Sequence, residues 1–240
     1  MKIAIVGHGK MGRAIERIAR ERGHQIVAII DENNIDDINS EAFASADVAI
    51  EFTRPEAALD NYRMILPTGV PLVSGTTGWG SSDQLLPMID RADSAMIWSS
   101  NFSVGVNIFF AVNSFLARIM NRFPQYTPQM EEVHHIHKLD HPSGTAKTLA
   151  EGIIEATDRI AEWTEDPSHR PDQLLINHRR EGEVPGIHSI VWQSPMDSIT
   201  LTHSAKTRDS FALGAVIAAE WLPGHKGLFS TADMMADLLK

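Results

Sequence analysis

The residues best equipped for chemistry lie in one stretch: Glu131-Glu132-Val133-His134-His135-Ile136-His137-Lys138-Leu139-Asp140-His141-Pro142-Ser143-Gly144-Thr145-Ala146. Four of the chain's 11 histidines fall here. His134 and Lys138 stand four apart, a spacing that puts them on one side of a strand or of a helix. Histidine titrates near neutral pH and a partly buried lysine can donate, so the two read as a proton-transfer pair. A strand over Glu131–Lys138 would turn His135 and His137 to its other face. Ser143-Gly144-Thr145 then precedes a helix expected over Ala146–Ala156. Pro142 favours an extended approach, and Gly144 lets a ligand come close to the backbone. The free N–H groups of the helix start, with the Ser143 and Thr145 hydroxyls, suit a carboxylate. A cationic pair beside an anion cradle points to an anionic small molecule. Imidazole clusters also bind metals, but the lysine among these rings opposes a dication, and no metal is expected. A solvated strand followed by a helix cap is the plain structural alternative.

Something must hold this segment in place, and the first hundred residues show how. Short apolar runs at Lys2–Val6, Gln25–Ile30, Val48–Phe52, Pro71–Ser74 and Ala95–Trp98 read as strands buried on both faces. Amphipathic stretches separate them, as in Arg13–Arg22, where Ala14, Ile15, Ile18 and Ala19 share a side. Strands alternating with helices predict an α/β, Rossmann-like, doubly wound parallel sheet. Gly7-His8-Gly9-Lys10-Met11-Gly12 directly follows the first strand and opens the first helix, the context that makes G-x-G-x-x-G a dinucleotide signal. Gly7 serves the tight turn, Gly9 the approach of a pyrophosphate, and Gly12 close helix–sheet packing. Asp31 closes the second strand, where an acid binds the ribose hydroxyls. Glu32 and Asn33 are its neighbours, and no arginine adjoins it. A 2′-phosphate would thus meet two carboxylates and no cation, which predicts NADH in preference to NADPH. Phe52-Thr53-Arg54-Pro55 and Gly75-Thr76-Thr77-Gly78 follow strand ends, where open parallel sheets bind ligands.

The pattern changes after residue 102. An apolar helix is expected over Asn107–Met120. Thr157 to Gly186 reads as loop-heavy, and strands at His188–Trp192 and Ser198–His203 as an antiparallel pair. A helix at Phe211–Leu222 returns to the first domain. The expected division is 1–102 with 209–240 as a dinucleotide-binding domain, and 103–208 as a second, α+β domain with an open mixed or antiparallel sheet. Hinges are expected near Ser103 and Arg208.

Composition narrows the function. With 43% hydrophobic and 22% charged residues, the chain can bury a real core. A net charge of −10 argues against nucleic acid, whose binding relies on a basic field. The chain has no cysteine, which removes disulfides and thiolate chemistry. No apolar run reaches the roughly 18–20 residues of a membrane span, and a cytoplasmic protein without membrane partners is expected.

The segment His134 to Ala146 resembles the H-H-x-x-K-x-D-x-P-S-G-T-A signature of the 4-hydroxy-tetrahydrodipicolinate reductases (dihydrodipicolinate reductases) of lysine and diaminopimelate synthesis. Ser100-Asn101-Phe102-Ser103-Val104-Gly105-Val106-Asn107, Phe52–Pro55, Gly75–Gly78, Thr202–Arg208 and the glycine turn resemble further segments of that family. The resemblance implies hydride transfer from NAD(P)H to C4 of a cyclic imine dicarboxylate, formed as the 4-hydroxy substrate loses water. It implies His134 as proton donor or acceptor and Lys138 as proton donor. His135, Gly144 and Thr145 would bind substrate carboxylates. Gly7 to Gly12, Asp31, Phe52, Gly75 to Thr77, and Ser99, Ser100, Asn101 and Phe102 would contact the cofactor. A homotetramer is implied as well. The chain departs from the family at His141, where alanine is usual, and in its shortness after Val184-Pro185-Gly186, a region that helps build the tetramer. Two other readings compete: another two-domain dehydrogenase acting on an amino acid such as aspartate, and a non-catalytic dinucleotide sensor. The latter predicts loss of the His–Lys pair or of the cradle, and both are present.

Overall fold

A computed structural model describes residues 1–207 and 209–238, and the backbone alone at Ser82. Arg208, one of the expected hinges, lies outside the described residues. The chain forms two compact units, Met1–Val104 with Asp209–Lys240, and Gly105–Arg208.

In the first unit, β1 (Lys2–Val6), β2 (Gln25–Ile30), β3 (Val48–Glu51), β4 (Leu72–Ser74), β5 (Ala95–Trp98) and a late strand, Gly227–Phe229, make one sheet. Its order is late strand, β5, β4, β3, β1, β2, and every pairing is parallel. Alternate residues of β1 serve opposite layers. Ile3 and Ile5 pack with Ile15 and Ile18 of α1 (Lys10–Glu21). Ala4 and Val6 pack with Ala58, Tyr62 and Ile65 of the helix Pro55–Ile65. Burial on both faces explains why these strands read as unbroken apolar runs. The chain runs from β1 to β2 on one side and then crosses to β3 on the other. This is the switch point where open sheets bind ligands beyond their carboxyl ends. The last two elements, Gly227–Phe229 and the helix Thr231–Leu238, are not expected from the sequence. The strand's three residues are too few to show a period.

In the second unit a five-stranded mixed sheet carries the site. Its members are Thr127–His134, Glu162–Thr164, Gln173–Arg180, Ile187–Gln193 and Ser198–Ser204, here β6 to β10. Their order is β10-β9-β6-β8-β7. β6 runs antiparallel to β9 and parallel to β8. The helices Val104–Met120 and Gly144–Ala156 contribute Phe109, Ala117, Leu149 and Ile153 to a core shared with Met130, Ile176, Ile190 and Trp192.

One expectation is corrected here and another is completed. The strand ends at His134, not at Lys138. Beyond it the backbone closes a turn, Lys138 N–H to His135 O at 3.1 Å, and the Arg180 guanidinium takes the Lys138 and Asp140 carbonyls in place of a ladder partner. The stretch Thr157–Gly186 is loop-heavy as expected, but it also holds β7 and the eight-residue β8, which the sequence reading does not place. The alternating Leu174 and Ile176 seat β8 in the core, while its polar second half disguised it.

Candidate active site

The expected dinucleotide residues stand in a row along the carboxyl edge of the parallel sheet. The Gly7 N–H bonds Ile30 O at 2.8 Å, Phe52 N–H bonds Val6 O at 2.9 Å, Gly75 N–H bonds Glu51 O at 3.1 Å, and Ser99 N–H bonds Ser74 O at 3.2 Å. A cleft of about 340 Å³ opens there, lined by Gly9, Lys10, Met11, Phe52, Thr53, Pro55, Gly75, Thr76 and Thr77.

Chain geometry fits a dinucleotide. Gly7 has φ +91°, and a Cβ there would fall 2.1 Å from Phe52 O. A Cβ at Gly12 would fall 2.0 Å from Gly7 O, so α1 lies tight on the turn, whereas nothing stands within 4 Å of one at Gly9. The start of α1 has neither a side-chain cap nor an acid in its first turn, which keeps its positive end for an anion. Asp31 follows β2 and is exposed. His8 turns aside to a hydrogen bond with Glu16 at 2.7 Å, and its ring is not among the cleft-lining groups. Ser99, Ser100, Asn101 and Phe102 follow β5 and do not line the cleft; the buried Phe102 ring lies 6.0 Å from that of Phe52.

Beneath the cleft is a buried acid that the sequence did not flag. Glu51 is wholly buried and accepts from Ser74 Oγ at 2.6 Å, from Thr76 Oγ1 at 2.8 Å and from Thr53 Oγ1. Burial pushes its carboxyl upward, against the pull of these hydroxyls. The Thr76 carbonyl takes the indole N–H groups of Trp79 and Trp98, each at 2.8 Å. The loop that lines the cleft is thus fixed from below on both sides.

The sequence also missed an arginine at the adenosine end. The Arg54 guanidinium pairs with Glu32 at 2.7 Å. A cation therefore stands beside Glu32, the chain neighbour of Asp31, where none is expected from the sequence. The chain neighbours of Asp31 give no sign of it, because the arginine reaches across from the end of β3.

The second unit builds a polar cluster at the end of β6. Pro128, Met130, Glu132 and His134 share one buried face of that strand, apolar first and polar last. Opposite Glu132 in register is His188. The wholly buried Glu132 accepts the Ser143 N–H at 3.0 Å and lies 3.6 Å from His134 Nδ1 and 3.4 Å from Arg180. Burial raises its carboxyl, but the Ser143 hydrogen bonds and the two imidazoles outweigh this and hold it below the usual range. Burial pushes His134 down, helped by the Lys138 and Arg180 charges and opposed by Glu132. Burial likewise takes His188 down to about 4. Both rings are neutral near pH 7. His134 Nδ1 faces Glu132 at 3.6 Å, beyond hydrogen-bond reach.

Lys138 stands beyond the turn, paired with Asp140 at 2.8 Å, and its charge still reaches His134. His135 begins the turn. Ser143 is engaged within the protein. Its N–H goes to Glu132, and its hydroxyl caps the helix at Ala146 N–H and meets His188 Nε2 at 3.1 Å. These internal bonds make it a support of the cradle. Gly144 opens the helix with clear space where a Cβ would be. The sequence missed Glu132, Arg180 and His188. The two-residue step from Glu132 to His134 was the available signal for the first; Arg180 gave none.

Residues 1–102 match the family described as "Dihydrodipicolinate reductase, N-terminus", and residues 105–235 its counterpart, "Dihydrodipicolinate reductase, C-terminus". The chain belongs to the dihydrodipicolinate reductase family. A 4-hydroxy-tetrahydrodipicolinate reductase of Christiangramia forsetii is 43% identical over 100% of both chains. One from Archaeoglobus fulgidus is 33% identical over 92% of this chain and 94% of its own. Among solved structures, a dipicolinate-bound dihydrodipicolinate reductase from Paenisporosarcina sp. TG-14 has a TM-score of 0.77 at 23% identity, covering 96% of this chain and 97% of that one. That likeness bears on the dihydrodipicolinate reductase fold, a parallel sheet followed by a mixed one. A probable dehydrogenase from Thermotoga maritima shares the fold more loosely, with a TM-score of 0.58 at 10% identity.

Proposed function

We propose that this protein reduces 4-hydroxy-tetrahydrodipicolinate to tetrahydrodipicolinate with a reduced nicotinamide cofactor, in lysine and diaminopimelate synthesis. The observation that carries this reading is the full-length 43% identity to a curated enzyme of that name. The first unit takes the dinucleotide and the second the substrate. Bound at the cleft, the nicotinamide supplies the hydride. Gly144 and Thr145, in the first turn of their helix, hold a substrate carboxylate, and His135 meets the same anion. Lys138 delivers a proton to the substrate. His134, beside the buried Glu132, serves as proton donor or acceptor. The setting is cytoplasmic; among the described residues no helix is long and apolar enough to cross a membrane.

The cofactor preference remains for NADH, now with a smaller margin. Asp31 and Glu32 are two carboxylates against the single Arg54, which a 2′-phosphate would have to draw from Glu32. A coupled assay supplying freshly formed substrate tests function and preference together. The expected result is oxidation of both cofactors, with the higher kcat/KM for NADH. Arg54→Ala should lower kcat/KM for NADPH by about tenfold, the scale of 1.4 kcal/mol, and leave that for NADH nearly unchanged. No substrate-dependent oxidation with either cofactor rejects the function.

Gly75→Ala would place a Cβ 2.1 Å from the Phe52 ring. Thr76 is anchored on both sides, so the ring must give and intrude on the cleft. NADH affinity, read by fluorescence titration, should fall about tenfold or more, over 1.4 kcal/mol.

We further propose a homotetramer. β10 is an edge strand, largely exposed, with Ile199 38% exposed, and such edges pair unless blunted. Light scattering should give four times the chain mass; a monomer would reject this.

A further inference from the structure

Among the described residues two groups bring three ligand-type atoms within 4.8 Å of one another. Glu132, His134 and His188 belong to the active site. His141, Glu165 and His178 have no part in it. We propose that this second group is a binding site for a divalent transition-metal ion of the zinc class.

Three separate segments supply it: the loop before Pro142, the residue after β7, and the middle of β8. His141 Nδ1 lies 2.9 Å from Glu165 Oε1, and His178 Nδ1 lies 3.0 Å from the same oxygen. The two rings stack with centroids 4.2 Å apart and planes at 15°. Two imidazole nitrogens therefore converge on one carboxylate oxygen. Zinc takes histidine nitrogen and carboxylate oxygen at about 2.0–2.2 Å, so neighbouring ligands of a tetrahedral ion stand about 3.3 Å apart. The two histidine–carboxylate spacings need a slight spreading to admit the ion, and the stacked rings need to turn so that each nitrogen meets it in its own ring plane.

Charge and chemistry agree with this. With both rings neutral the group carries a single negative charge. Two imidazoles and a carboxylate suit zinc, copper or nickel better than magnesium or calcium. The side chains are 50% exposed at His141, 34% at His178 and 29% at Glu165, which leaves a coordination position open to water, as three-ligand zinc sites do.

The test is calorimetric titration of the chelator-washed full-length protein with Zn²⁺ alone. The expected result is one ion per chain, bound at least about tenfold more weakly by each of His141→Ala, His178→Ala and Glu165→Gln, in line with the loss of a ligand or its support. His134→Ala should bind zinc as the unmodified protein does. Histidine ¹⁵N spectra should show the Nδ1 signals of His141 and His178 moving on zinc addition. Thermal unfolding checks that the variants are folded. Absence of a stoichiometric ion overturns the proposal. So does binding that survives the His141 and His178 changes, or that is lost in His134→Ala instead.

Discussion

Lys138→Ala is expected to lower kcat by about 10²–10⁴-fold, the usual worth of a positioned proton donor, while NADH still binds. The size follows from how much of the structure serves this one ammonium. Asp140 holds it at 2.8 Å, and Arg180 fixes the backbone on either side through the Lys138 and Asp140 carbonyls. Alanine leaves those backbone bonds in place and removes only the proton source. None of the residues lining the dinucleotide cleft is altered, so NADH fluorescence titration should return a nearly unchanged Kd. His134→Ala should cost kcat a similar factor. If the two residues act as one unit, the double variant will be little worse than either single one. A Lys138→Ala protein with kcat near normal would remove the lysine from the chemistry, and one that no longer bound NADH would point to misfolding.

Glu132→Ala is expected to damage both stability and activity. It leaves Arg180, the Ser143 N–H and two imidazoles facing an empty buried position. Breaking a buried charged pair on one side typically costs about 3–5 kcal/mol. At about 2–4 °C per kcal/mol for a chain of this size, Tm should drop by about 10 °C. Glu132→Gln separates the two roles. It keeps the volume and an acceptor for Ser143, so most of the Tm should return. It removes the charge that opposes the downward push on His134, so the acid limb of the kcat/KM profile should move to lower pH. A Glu132→Gln enzyme with an unchanged profile would mean that Glu132 supports the fold and nothing more.

Different physical signals made different parts of this protein legible. The parallel sheet declared itself because strands buried on both faces are apolar throughout, as in Val48–Ile50. The glycine turn did so because its constraints are local: Gly7 and Gly12 would each collide with backbone if they carried a Cβ. His134, Lys138 and Gly144 were found from type and spacing within one segment. What stayed hidden came from elsewhere in the chain. Arg180 and His188 reach His134 only through strand pairing, and Arg54 reaches Glu32 from another strand end. The internal bonds of Ser143, to Glu132 and to the helix start, are likewise not evident from its place before a helix. The strand that was drawn too far, to Lys138, failed because the competing turn depends on Arg180.

The buried face of β6, passing from Met130 through Glu132 to His134, has a bearing on how the chain can change over evolutionary time. Side chains alternate along a strand, so a single inserted or deleted residue before Glu132 would turn the acid and the histidine to the opposite face together. Length is therefore frozen along β6. The turn from His135 to His141 is held mainly by Arg180 and local bonds, and it can absorb sequence drift. Divergence should accordingly enter this site through the loop that carries the lysine, while the strand that carries the histidine stays at constant length.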